Sequence, residues 1–150
     1  MSRSRRILVV DDEVNARTAL AELLRDEGFE VATAGNGSEA LGKVAGCAPH
    51  VVITDLEMPG MDGSELVTKL LQLEAPPSVI AMTAFGEPAP AVAAMRAGAL
   101  AYLTKPIHVD ELLVVLGKAL AHHDLEHEVV TLREQARGMN HMDRKRAIPR

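Results

Sequence analysis

At 150 residues the chain has room for one ordinary domain and an appendage, and too little for two full domains. Nearly half of its residues are apolar, yet no stretch approaches the roughly 20 unbroken apolar residues of a membrane span, and no signal-peptide pattern follows the opening MSRSRR, so a cytoplasmic location without membrane attachment is expected. Residues 7–138 carry nine basic and twenty acidic side chains, a net −11 that repels a phosphate backbone, and with only Phe29, Phe85 and Tyr102 as aromatics there is no stacking platform either; direct nucleic-acid binding by this body is not expected.

Taken in chain order, short apolar runs bounded by turn residues predict strands at Ile7–Val10, Glu30–Ala34, Val51–Thr54, Val79–Met82 and Leu100–Leu103. Helical periodicity between them predicts helices at Val14–Glu27, Ser38–Ala45, Ser64–Leu73 and Pro90–Ala97 and a long one from Val109, with Gly28, Gly46 and Gly98 as the stops. Strict strand–helix alternation means a parallel sheet covered on both faces, and the unbroken apolarity of Ile7–Val10 and Val51–Ile53 marks these two strands as central. The lone Cys47 cannot close a disulfide within the chain and reads as a small buried hydrophobe.

The last helix outlasts the sheet. From Val109 to Arg137 it would measure roughly 40 Å at about 1.5 Å per residue, so its second half must project or find a partner. Leu125, Val129, Leu132 and Ala136 form one apolar stripe, a short coiled-coil seam that predicts homodimerisation. The expected organisation is a domain over residues 1–121, a helical extension over 122–138 and a disordered basic tail over 139–150, whose Arg144, Lys145 and Arg146 read as solvated charge.

In an open parallel sheet, ligands bind beyond the carboxyl ends of the strands. At those ends the sequence sets Asp11 and Asp12 after the first strand, Asp55 and Glu57 after the third, Thr83 on the fourth and Lys105-Pro106 after the fifth. Crowded carboxylates on a water-accessible rim suit a hard divalent cation, magnesium first and manganese second. One carboxylate can then attack phosphorus while an ammonium and a hydroxyl take the remaining phosphoryl oxygens. Asp55 is the best acceptor, because it ends a central strand and leads into a Pro-Gly turn that turns its carboxylate toward solvent.

The motifs ILVVDDE, VVITDLEMPGMDG, AMTAFG and AYLTKP, in that order over roughly residues 6–121, resemble the receiver domains of two-component response regulators. The resemblance implies a flavodoxin-like five-stranded parallel sheet of order 2-1-3-4-5, an order for which the chemotaxis receiver is a standing example. It also implies phosphorylation of Asp55 by a sensor histidine kinase or a small acyl phosphate. Magnesium would be held by Asp12, Asp55 and the Glu57 carbonyl, with Asp11 acting through water. Thr83 and Lys105 would receive phosphoryl oxygens, and the Lys105–Pro106 peptide would be cis.

By the same resemblance Tyr102 switches between exposed and buried positions as Thr83 is drawn inward, making the fourth helix, fifth strand and fifth helix the output face. That face and the long helix are the two expected dimer contacts. Glu57 and Phe85, each two residues past a site residue, are expected to tune phosphoryl lifetime, Phe85 by screening the attacking water. The long helix weakly resembles the linkers of NtrC-type transcription activators, so transcription regulation is the expected output.

Two rival readings are weaker. A phosphatase that turns over an aspartyl phosphate needs a general acid beside its nucleophile, usually an aspartate two residues on, and here position 57 is Glu. A signalling domain rather than an enzyme is therefore expected. His123 and His127, with His122 beside them, have metal-pair spacing on a helix but no third ligand in sequence, so a solvated face is expected rather than zinc.

Overall fold

The computed structural model describes residues 5–86 and 88–126. Among them lie five strands, β1 (Arg6–Val10), β2 (Glu30–Ala34), β3 (Val51–Asp55), β4 (Ser78–Thr83) and β5 (Ala101–Thr104), all parallel and in the order β2-β1-β3-β4-β5. Helices α1 (Val14–Asp26), α2 (Gly37–Cys47), α3 (Gly63–Leu71) and α4 (Pro88–Ala97) connect them, and α5 covers residues 109–126. The coiled-coil positions from Val129 onward, His127 and the basic tail fall outside the described residues.

Alternation along each strand divides the core in two. Leu8, Val10, Val52, Val79 and Ala81 face Ala40 and Val44 of α2, Leu66, Val67 and Leu70 of α3 and Ala94 of α4. Ile7, Val9, Val51, Ile53, Ile80 and Met82 face Leu24 of α1 and Leu112, Leu116 and Ala119 of α5. Every residue of β3 is buried, as the unbroken apolar run requires of a strand covered on both sides, whereas edge strand β2 is only partly buried. Because all five strands run the same way, their carboxyl ends, and with them Asp11, Asp55, Thr83 and Lys105, meet at one edge.

Helix stops at Gly28 and Gly98 adopt the expected positive φ, 100° and 117°. Gly46 does not stop a helix. It lies inside α2, which runs to Cys47 and ends on Ala48 in the left-handed region at φ 46° and ψ 58°. Pro49 is the physical reason: its ring disfavours helical geometry at the residue before it, and a mid-helix glycine costs too little to end a helix first. A Cβ on Gly46 would meet nothing within 4 Å, so Gly46→Ala is expected to raise unfolding free energy by about 1 kcal/mol, read as a higher midpoint in urea.

Candidate functional site

Asp11 and Asp55 are held in matching ways. Each sits at or just past a strand end and turns one carboxylate oxygen back onto the chain: Asp11 Oδ1 accepts from Glu13 N–H and Asp55 Oδ1 from Glu57 N–H, both at 3.0 Å. The other oxygen of each accepts from Lys105 Nζ, at 3.3 Å for Asp11 Oδ2 and 3.0 Å for Asp55 Oδ2. Helix α1 begins with Glu13 at its N-cap position, so Asp12 is not spent on capping and stands exposed at the rim. One carboxylate oxygen from each of Asp11, Asp12 and Asp55 lies within 4.8 Å of the others.

Two of these carboxylates are nearly inaccessible, Asp11 at 2% and Asp55 at 4%, so their mutual repulsion is poorly screened. Burial pushes the Asp55 carboxyl above its ordinary range; the Glu57 N–H and Lys105 pull it back, and Asp11 adds to the rise. Burial opposes the charge on Lys105, but the hydrogen bond and attraction of Asp55, with those of Asp11, outweigh it and lift the ammonium above its usual value. The same pair of contacts therefore stabilises a charged lysine between Asp11 and Asp55.

Main-chain hydrogen bonds stitch this edge together. Leu56 N–H donates to Met82 O at 2.9 Å, and Lys105 N–H to Thr83 O at 2.8 Å just before a cis Lys105–Pro106 peptide. Thr83 is buried at the end of β4, in register with Thr104 of β5. Glu57 and Phe85 are exposed on the loops after β3 and β4, Phe85 at 84%. The geometry thus gathers Asp11, Asp12, Asp55 and Lys105 into direct proximity, with Thr83 on the same strand edge.

Residues 7–117 match the sequence model of the response regulator receiver domain. The chain belongs to that family. Among its curated relatives, regulatory protein AtoC of Escherichia coli is 40% identical over 129 residues, which cover 86% of this chain and 28% of AtoC. Transcriptional regulatory protein ZraR of Klebsiella oxytoca is 42% identical over 125 residues, 83% of this chain and 28% of ZraR. The receiver therefore spans under a third of the length of these relatives. In structure it resembles NtrX of Brucella abortus (TM-score 0.80, 34% identity, 89% of this chain and 30% of NtrX). It also resembles a receiver domain protein of Clostridium thermocellum (TM-score 0.76, 32% identity, 81% and 98%). This is a two-component receiver of the kind found in NtrC-type regulators.

Elsewhere the receiver departs from a plain sequence reading. Tyr102 is 49% exposed and lines an open groove of about 350 Å³ with Pro88, Ala91, Val92, Met95 and Arg96 of α4. This groove lies apart from the acidic trio. His123 is not a bare helix-face residue: its ring meets His50 edge-on at 5.3 Å, while Arg5 Nη2 pairs with Asp124 Oδ1 at 2.6 Å, and together these contacts tie α5 to the amino-terminal edge of the sheet. Burial, helped by Arg6 and Arg5, pushes His50 down to about 4, so it is neutral at pH 7 and free to accept the Arg6 N–H at its Nδ1. Among the described residues no helix is long and apolar enough to cross a membrane.

The sequence reading missed Arg17. Its Nη1 donates to the main-chain carbonyl of Asp11 at 2.8 Å. Its position one turn into α1, six residues after Asp11, does not by itself mark the contact.

Proposed function

We propose that this receiver takes a phosphoryl group onto Asp55 from a histidine kinase or a small acyl phosphate, and that the modification changes the face formed by α4, β5 and α5. The observation that carries the reading is the convergence of Asp11, Asp12 and Asp55 around one point with Lys105 Nζ spanning Asp11 and Asp55. The all-oxygen, partly open donor set fits magnesium, with manganese as a substitute, held by Asp12, Asp55 and the Glu57 carbonyl and by Asp11 through water. When bound, that ion neutralises charge on the transferring phosphoryl oxygens.

The chain's own groups do the rest. An Asp55 carboxylate oxygen attacks phosphorus, a P–O bond forms, and the P–N bond to the donor imidazole, or the P–O bond to the donor carboxylate, breaks. Lys105, already within 3.0 Å of Asp55 Oδ2, shifts its ammonium to a phosphoryl oxygen, and the Thr83 hydroxyl donates to another. Drawing Thr83 inward moves the loop ahead of α4 and makes room for Tyr102, whose exposed ring would leave the groove on α4. Self-catalysed uptake and slow hydrolysis, without turnover of other substrates, are the whole chemistry.

The likeness to the transcriptional regulatory protein ZraR supports transcription regulation as the output, which this receiver would exert in the cytoplasm through a partner or a following domain. Residues 1–121 act as the receiver, 122–138 as a linker that pairs two copies, alone or with the α4-β5-α5 face, and 139–150 as a basic tail. Exposed Leu125, at 62%, starts the pairing stripe. Two tests follow. Intact-protein mass after incubation with acetyl phosphate should rise by one acid-labile phosphoryl group only with magnesium and not in Asp55→Ala; equal gain in both proteins would remove Asp55 from the role. Phe85→Ala should shorten the phosphoryl half-life severalfold and Glu57→Ala should alter it, and unchanged hydrolysis in both would end the lifetime assignment.

A further inference from the structure

Two close approaches and one electrostatic influence meet at Arg17. Its guanidinium donates to the Asp11 carbonyl at 2.8 Å. The same Nη1 stands 3.1 Å from where a Cβ on residue 35 would be, so a side chain at position 35 would press the guanidinium away by a few tenths of an ångström. Its charge also reaches Glu39, whose carboxylate accepts the Gly35 N–H at 2.8 Å. Arg17 thus joins the loop after β1 to the loop after β2.

The carbonyl it holds belongs to the peptide linking Asp11 to Asp12. A peptide is planar from one Cα to the next, so fixing that oxygen fixes the direction in which the Asp12 Cα leaves Asp11. Asp11 itself is anchored on its other side, by its N–H to Ala34 O at 3.1 Å. Its side chain is anchored as well, by Glu13 N–H and Lys105. Among the described residues Asp12 has no such anchors: it is exposed, and its carboxylate depends on the backbone for its aim.

We infer that Arg17 is a positioning residue of the acidic trio: by clamping the Asp11–Asp12 peptide it aims the Asp12 carboxylate at Asp11 and Asp55, and Gly35 is the small residue that admits the clamp. The inference rests on reading the trio as a magnesium site. Charge and positioning make opposite demands here. A guanidinium near a cation site repels the cation, so by charge alone Arg17→Gln would tighten magnesium binding; by lost aim it loosens it.

Gly35→Ala separates the two further, because it leaves every charge in place and presses most closely on the guanidinium, with Glu39 Oε1 at ordinary contact, 3.4 Å. Residue 35 is outside the positive-φ region, so alanine adds no backbone strain there.

The test is calorimetric titration of magnesium chloride into the metal-free full chain, wild type, Arg17→Gln and Gly35→Ala, with thermal unfolding of each in chelator. The expected result is saturable binding by wild type, a Kd weaker by about tenfold in Arg17→Gln, a smaller weakening in Gly35→Ala, and melting in chelator close to wild type for both. Wild-type or tighter affinity in Arg17→Gln overturns the inference, as does an unaltered Kd in Gly35→Ala. If wild type itself gives no saturable binding, the magnesium reading falls and the inference falls with it, a result distinct from failure of the variants alone.

Discussion

Asp55→Asn is expected to take up no phosphoryl group and, in metal-free buffer at neutral pH, to be more stable than wild type. Asp55 is 4% exposed and shares one ammonium with buried Asp11. Burial, reinforced by Asp11, raises its folded pKa above the ordinary 3.8. A carboxyl shifted upward on folding contributes stability fully below its unfolded pKa and loses it as pH rises through the folded value. At pH 7 the wild-type domain therefore carries an unfavourable charge that asparagine lacks. The amide oxygen can still accept the Glu57 N–H, and Lys105 keeps Asp11 as a partner.

A gain of about 1 kcal/mol is the expected size, typical of relieving a functional site, with a melting temperature higher by roughly a few degrees. Magnesium should reverse the order, because an ion that binds only the folded protein stabilises it by RT ln(1 + [Mg]/Kd). Thermal melts in chelator and in magnesium, at pH 4 and pH 7, read all of this. A less stable Asp55→Asn in chelator at pH 7 would contradict the strained-carboxylate account.

Gly63→Ala is expected to cost about 2–3 kcal/mol and to slow phosphoryl uptake as well. Gly63 opens α3 directly beneath the turn that follows Asp55. An added Cβ would stand 2.6 Å from both Cα and Cδ2 of Leu56 and 3.0 Å from its carbonyl oxygen. Backbone cannot swing aside as a side-chain tip can, so either α3 or the Leu56 peptide must move. Leu56 lies between Asp55 and Glu57, and its N–H is bound to Met82 O, so any shift there disturbs the acceptor and the Glu57 carbonyl together.

Gly37→Ala is the control. Its Cβ would approach Met61 Sδ at 2.7 Å, the flexible part of a side chain that can rotate, although Met61 Cβ at 3.0 Å limits the relief. The loss there should be the smaller of the two. Urea unfolding of both variants beside acetyl phosphate uptake rates checks the pair, and a Gly63→Ala protein within about 0.5 kcal/mol of wild type would refute the packing argument.

Much of this molecule can be read from sequence because two periods rarely mislead. The runs Ile7–Val10 and Val51–Ile53 have no polar residue to place on a solvent face, so they can only be strands covered on both sides, and β1 and β3 are neighbours in the middle of the sheet. Parallel strands put all carboxyl ends on one edge, so Asp11, Asp55 and Lys105 meet there although 94 residues separate the first from the last. What periodicity does not carry is backbone detail. Gly46 has the composition of a helix stop, but Pro49 sets the end of α2, and Ala48 takes the left-handed turn.

Arg17 escaped for a related reason. Its partner is a main-chain carbonyl, which every residue has, so no side-chain pattern marks the contact. Its pairing with Gly35 depends on how closely the loops after β1 and β2 approach, a distance set by the sheet and not by local sequence. The exposed Tyr102 groove is likewise a property of how α4 packs on β5, which composition does not fix.

The most direct test of the acceptor assignment is to phosphorylate the wild-type receiver with acetyl phosphate and magnesium, reduce it with borohydride and sequence its peptides by mass spectrometry. Borohydride converts an aspartyl phosphate to homoserine and leaves free carboxylates untouched. Homoserine at position 55, dependent on both acetyl phosphate and magnesium, is the predicted result. Homoserine at Asp11 or Asp12, or at no position in a protein that binds magnesium, would contradict the account.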